Sequence, residues 1–120
     1  MIKNARKVTT DFFDCVNTRD LNQLAGLLTE DARLFFPKTH PVEGKDRILK
    51  FLRILFRHYP KLIFHLLRII VQDNQVAVHW HNQGMMRNGE PYENEGVSWL
   101  EIVDGRITFI SDFFKDTGKF

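Results

Sequence analysis

Residues 75–114 read QVAVHWHNQGMMRNGEPYENEGVSWLEIVDGRITFISDFF, and this stretch decides the fold. Runs rich in Val, Ile, Trp and Phe are separated by Asn88-Gly89 and Asp104-Gly105, dipeptides that supply the left-handed backbone of a tight hairpin turn. Three consecutive strands are therefore expected, over residues 75–87, 91–103 and 106–114. Fixing the turns fixes the neighbours. A two-residue turn at Asn88-Gly89 pairs Arg87 with Glu90. Gln83 then faces Asn94, His81 faces Gly96, His79 faces Ser98 and Ala77 faces Leu100, all on one side of the sheet. Val78, Trp80, Val97 and Trp99 take the other, apolar side.

The second turn leaves two registers open. A two-residue loop at Asp104-Gly105 sets Asp112 opposite Val97. A three-residue loop with Gly105 left-handed sets it opposite Gly96. In that second register His81, Gly96 and Asp112 form a row across three strands. His81 and Asp112 then start about 10 Å apart at the backbone, and the bare Gly96 between them lets the two lean together.

Upstream, the pattern turns helical. Over residues 3–17, Val8, Phe12, Cys15 and Val16 recur on one face. Asn17-Thr18-Arg19 breaks that helix, and Asp20 caps a short second one, with Gln23 completing a capping box and Leu24, Leu27 and Leu28 as its buried side. A short strand over 32–36 ends at Pro37, followed by a loop to Gly44. A third helix over 45–57 turns Ile48, Phe51, Leu52 and Leu55 inward and Lys50, Arg53 and Arg57 outward, until Tyr59-Pro60 stops it. Residues 62–72 then form a strand that is apolar on both faces apart from His65 and Arg68. Such a strand needs cover from helices on one side and from a second subunit on the other, so a homodimer is expected. Helices first and antiparallel strands afterwards define an α+β domain.

The totals agree with one soluble domain spanning residues 1–120. The chain is 43% hydrophobic and 27% charged, with a net charge of +2, too small on its own to argue for nucleic acid, and no nucleic-acid partner is expected. The cations from Lys45 to Lys61 read as the solvated face of the third helix rather than as a phosphate site. Eleven Phe against two Trp and two Tyr suggest a thick core or an apolar cavity lined by rings. The single Cys15 fits a reducing cytoplasm. The N-terminus lacks the apolar stretch of a signal peptide, and the longest apolar runs are too short to span a membrane. A cytoplasmic protein with no membrane partner is expected.

Several phrases carry a resemblance. Leu28-Thr29-Glu30-Asp31-Ala32 entering a strand, Gly44-Lys45-Asp46-Arg47-Ile48 opening a helix, and Asp104-Gly105-Arg106-Ile107 leading to Asp112-Phe113-Phe114 resemble the SnoaL-like branch of the NTF2-like superfamily. The resemblance implies a curved sheet wrapped around helices as a cone, an apolar pocket and usually a homodimer. It also implies that the concave face carries His79, His81, Ser98 and Asp112 together. The positions that serve ketosteroid isomerases fall on Phe36, Phe12 and Ser98, which cannot do that chemistry. The last-strand aspartate of epoxide hydrolases and cyclases is similar to Asp112, but their Arg-x-Asp pair falls on His79-Trp80-His81.

The expected chemistry follows from these residues. A histidine oriented by a buried carboxylate is a general base, so His81 and Asp112 are the expected reacting pair, with His79 assisting. His79 and Ser98 would orient a substrate oxygen, Gln83 and Asn94 are further expected substrate-binding residues, and Phe12, Phe36, Met85 and Phe114 would form the apolar wall. The plain alternative is that His81 and Asp112 merely satisfy one another. His79, His81 and Asp112 also have the composition of a two-histidine, one-carboxylate metal site. A lone His-x-His is a weak signal, however, and the resemblance implies a superfamily that mostly works without metal, so no cofactor is expected. The expected function is acid–base chemistry (cyclisation, isomerisation or hydrolysis) on an apolar, carbonyl-containing small molecule. A ligand-binding or dimerisation module without turnover is the alternative.

Overall fold

The structure, a computed structural model, describes residues 4–119, the last of these by its backbone alone. The expected start of the first helix at residue 3 lies outside the described residues. Helix α1 (Ala5–Thr18) begins where the Asn4 side chain accepts from the Lys7 N–H at 2.7 Å. It ends at Arg19, which takes left-handed backbone at φ 63°. Its expected apolar residues Val8, Phe12, Cys15 and Val16 are all buried, together with Phe13.

Helix α2 (Leu21–Ala25) is shorter than expected. Asp20 caps it by accepting from the Gln23 N–H at 3.0 Å. The reciprocal arm of a capping box is missing, because the Asp20 N–H donates to the Cys15 carbonyl instead. Leu28 belongs not to this helix but to strand β1 (Leu28–Phe35), which runs longer than the alternation suggested. Strand β2 (Val42–Glu43) follows, then helix α3 (Lys45–His58), β3 (Ile63–Gln72), β4 (Gln75–Met85), β5 (Pro91–Val103) and β6 (Arg106–Phe114).

The six strands form one sheet in the order β2-β1-β6-β5-β4-β3. Every pairing is antiparallel except β1 with β6. The sheet curves around α1 and α3, which close its inner face over a core containing Val8, Leu24, Leu28, Ile48, Trp80 and Leu100. On α3, Ile48 and Leu52 are buried, while Arg47, Lys50, Arg53 and Arg57 are exposed as a solvated face.

The registers differ from both expectations. At Asn88-Gly89 the Met86 N–H donates to Glu90 O, and the Gly89 N–H donates to Met86 O. Only Gly89 of this turn has positive φ, at 88°. The loop therefore holds three residues, Arg87 to Gly89, and the pairing slips by one, so that His81 faces Glu95 and Trp80 faces Gly96. At Asp104-Gly105 both central residues are left-handed (φ 51° and 76°), making a two-residue loop that pairs Val103 with Arg106. An extra residue on β6, Thr108, then bulges between the pairs Ile102–Ile107 and Glu101–Phe109. The bulge brings Asp112 opposite Ser98, a position that neither loop length alone gives.

Candidate functional site

Residues at every second position along β4 to β6 decide what meets what. The inner face carries the rows Ile69–Val78–Ser98–Asp112 and Leu66–Trp80–Gly96–Phe114. The outer face carries Arg68–His79–Val97–Phe113 and His65–His81–Glu95. The expected His81–Gly96–Asp112 row therefore does not exist. Ser98 and Asp112 do share the inner face. His79 and His81 stand on the other side of the sheet, because the first hairpin carries one more loop residue than the two-residue turn allows.

A relay runs through the inner rows. Trp80 Nε1–H donates to Ser98 Oγ at 2.9 Å, and Ser98 Oγ lies 2.6 Å from Asp112 Oδ1. An indole N–H can only donate, so the serine oxygen accepts from it and its own hydrogen points at the carboxylate. Gly96 makes this possible. A Cβ there would stand 2.7 Å from the Trp80 ring, so the bare position gives the indole its place.

Burial pushes the Asp112 carboxyl up from 3.8 to about 6, and the Ser98 hydrogen bond opposes that rise. The surroundings explain the direction. The chamber beneath Asp112 is lined by Phe12, Phe13, Leu34, Phe36, Phe51, Phe64 and other apolar side chains, and Ser98 and Asp112 are its only polar residues among the described ones. Its volume is about 40 Å³, room for a few water molecules or a slender apolar group. Phe36, Phe51 and Leu55 form the wall it shares with a much larger vestibule of about 870 Å³. Phe36 is held there edge-on between Phe51 and Phe114, at ring distances of 5.2 and 5.1 Å.

Two residues at the end of α1 fix the far side of the chamber. Asn17 pairs its side-chain amide with both the N–H and the carbonyl of Phe64. Arg19 donates to the carbonyls of Tyr59 and Leu62, and its guanidinium lies 4.3 Å from the centre of the Phe56 ring. Neither belongs to a recognisable motif. A further buried amide, Asn82, lies on the inner face opposite Phe64 and Asn94, and neither of its polar atoms has a hydrogen-bond partner among the described residues.

The other expected site residues divide. Phe12 and Phe36 line the chamber, and Phe114 backs it against Phe36 and Trp80. Asn94 is buried but engaged, bonding Tyr92 Oη and both backbone groups of Asp116, so it closes the C-terminal turn rather than the chamber. Gln83 and Met85 are exposed and line a separate groove with Ile63 and His65, because the slipped register turns them outward. His79 Nε2 meets Glu95 Oε2 at 2.7 Å, and this bond, with Lys115 nearby, holds the Glu95 carboxyl below its usual value. His81 lies 3.6 Å from Glu93. With the sheet between them, His79, His81 and Asp112 cannot share one metal ion.

Trp80 was the residue that sequence reasoning missed. The available signal was the alternation Val76, Val78, Trp80 on β4, which matches Leu100 and Ile102 on β5. One curved sheet buries its apolar set inside, and Trp80 goes with it.

The chain matches the SnoaL-like domain family over residues 9–110. Its fold is similar to that of an NTF2-like protein of unknown function from Burkholderia pseudomallei, with a TM-score of 0.89 at 19% identity, covering 98% of this chain and 95% of that one. It is also similar to a candidate SnoaL-like polyketide cyclase from Jannaschia (TM-score 0.80, 19% identity, coverage 92% and 85%). A candidate ketosteroid isomerase from Kribbella flavida superposes with a TM-score of 0.78 at 25% identity, covering 94% and 78%. No curated protein matches the chain in sequence. Among the described residues, no helix is long and apolar enough to cross a membrane.

Proposed function

This chain belongs to the SnoaL-like domain family, and from that premise we propose that it is an acid–base enzyme for a small apolar carbonyl compound, with Asp112 as the base. One observation carries the reading. Asp112 is a carboxylate in an apolar chamber, oriented by Ser98, and burial there pushes its carboxyl up to about 6. In the reaction, Asp112 takes a proton from a carbon next to the carbonyl. The C–H electron pair becomes the enolate C=C bond as the carbonyl π pair moves onto oxygen, and Asp112 returns the proton at the same or another carbon. Trp80 and Ser98 hold the carboxylate in line without entering the chemistry.

The lining also limits the substrate. Apart from Asp112 the chamber offers one polar side chain, Ser98, whose hydrogen is already engaged. With no further donor there among the described residues to stabilise an enolate oxygen, the substrate must bring its own acidity, as a β-dicarbonyl does. A chamber of about 40 Å³ takes the narrow end of such a molecule and not a fused ring system. His79 and His81 have no part in this step, since the sheet separates them from Asp112.

The direct test is exchange of the single acidic C–H of ethyl 2-methyl-3-oxohexanoate for deuterium in D₂O, followed by proton NMR. The wild-type protein is expected to accelerate exchange, and Asp112→Asn to lower that acceleration by ~10²–10⁴-fold. His81→Gln should leave it unchanged. Equal exchange by wild type and Asp112→Asn would make the chain a binding module.

A further inference from the structure

The vestibule outside the Phe36 wall differs in charge from the chamber behind it. Three of its lining residues are basic, Lys38, His58 and Arg87, and none is acidic. They come from three separate elements: the turn after β1, the last residue of α3, and the β4–β5 hairpin. The fold brings them together. The Arg87 N–H donates to the His58 carbonyl at 2.9 Å, tying the hairpin to the helix end. Thr39 donates through both its N–H and its hydroxyl to the Phe36 carbonyl, closing a tight turn in which Lys38 takes left-handed backbone at φ 60°. The turn that sets Phe36 as the wall of the chamber therefore also presents Lys38 at the mouth.

We infer that the ligand is an amphipathic anion, a slender apolar body that ends in a carboxylate, phosphate or sulfate. Its apolar, carbonyl-bearing end reaches past Phe36, Phe51 and Leu55 toward Asp112, and its anionic end stays in the vestibule between Lys38 and Arg87. This inference rests on the reading of the Asp112 chamber as the site, and it adds the substrate's charge and polarity. The two compartments demand opposite chemistries of one molecule. The chamber rejects a charged end because Asp112 is itself an anion for most of its time at neutral pH and the walls are apolar. The vestibule, open to solvent and lined by cations, favours one.

The experiment is titration calorimetry with three eight-carbon probes: octanoate, octyl sulfate and 1-octanol. Both anions are expected to bind wild type at least about tenfold more tightly than octanol, a preference worth about 1.4 kcal/mol. The double variant Lys38→Asn/Arg87→Gln keeps the left-handed turn accessible, since Asn tolerates that backbone. It should bring both anions to within about twofold of octanol while leaving octanol unchanged, and 0.5 M salt should do the same to wild type. Preference for octanoate alone would assign the site to carboxylates, and preference for octyl sulfate alone to tetrahedral oxyanions. Equal binding of all three probes, survival of the preference in the double variant, or no binding at all would each overturn the inference. The exchange experiment on Asp112 is independent of these outcomes, so the loss of one reading is distinguishable from the loss of the other.

Discussion

Asp112 costs the folded chain stability, and the sign of that cost can be worked out. Its carboxyl ionises at 3.8 in a solvated chain and at about 6 in the fold. Between those values the folded state keeps a proton that the unfolded state has already lost. Stability from this group is therefore full below about pH 4, is lost as the pH rises to 6, and stays lost above it. The displacement corresponds to roughly 3 kcal/mol at 1.36 kcal/mol per tenfold. Asp112→Asn keeps an oxygen for Ser98 to donate to and removes the charge. Denaturant unfolding should show it more stable than wild type by about 1–3 kcal/mol at pH 7.5 and equal to it at pH 3.5. A variant that is less stable at pH 7.5 would mean that the carboxylate is stabilised in the fold. Polar groups retained at a cost in stability mark a region shaped by something other than stability.

At the scale of elements, most of the architecture was legible. Strands β5 and β6 begin and end where the turn dipeptides place them, and the apolar faces of α1 and α3 are the buried ones. What could not be read was the length of each hairpin loop. Asn-Gly and Asp-Gly each serve a two-residue turn and the three-residue turn with a left-handed glycine; Asn88-Gly89 took the three-residue form in place of the expected two-residue one, and Asp104-Gly105, open between the two, took the two-residue form. A slip of one residue moves every side chain of a strand to the other face, so this small ambiguity carried His79 and His81 out of the site. The bulge at Thr108 was equally hidden, since no glycine or proline marks it. Ser98 and Asp112 were placed on the inner face by resemblance. Their direct contact, and the arrival of Trp80 beside them, needed the true register.

At the scale of the whole molecule, no described residue covers the outer face of the sheet. Ile70, Val97, Trp99 and Phe113 fall in two adjacent rows of it, and Phe113 is 61% exposed. The same face carries basic and acidic side chains in contact, with the pairs His79–Glu95 and His81–Glu93 beside the apolar rows. A patch of this kind can meet its own copy across a two-fold axis, apolar on apolar and base against acid. We therefore propose the second copy of the chain as its occupant. The predicted consequence is a dimer in sedimentation equilibrium, converted to monomer by Trp99→Glu with Asp112-dependent exchange retained. A wild-type monomer at micromolar concentration would contradict it.

The placement of Asp112 with Ser98, and apart from the histidines, is the claim on which the rest stands. It is tested most directly by a carbon-13 NMR titration of the Asp112 side-chain carboxyl, identified by its loss in Asp112→Asn. The predicted midpoint is about 6, unmoved by His81→Gln and raised further by Ser98→Ala, which removes the hydrogen bond favouring the ionised form. A midpoint near 4, or one that moves by a pH unit when His81 is replaced, would contradict the account.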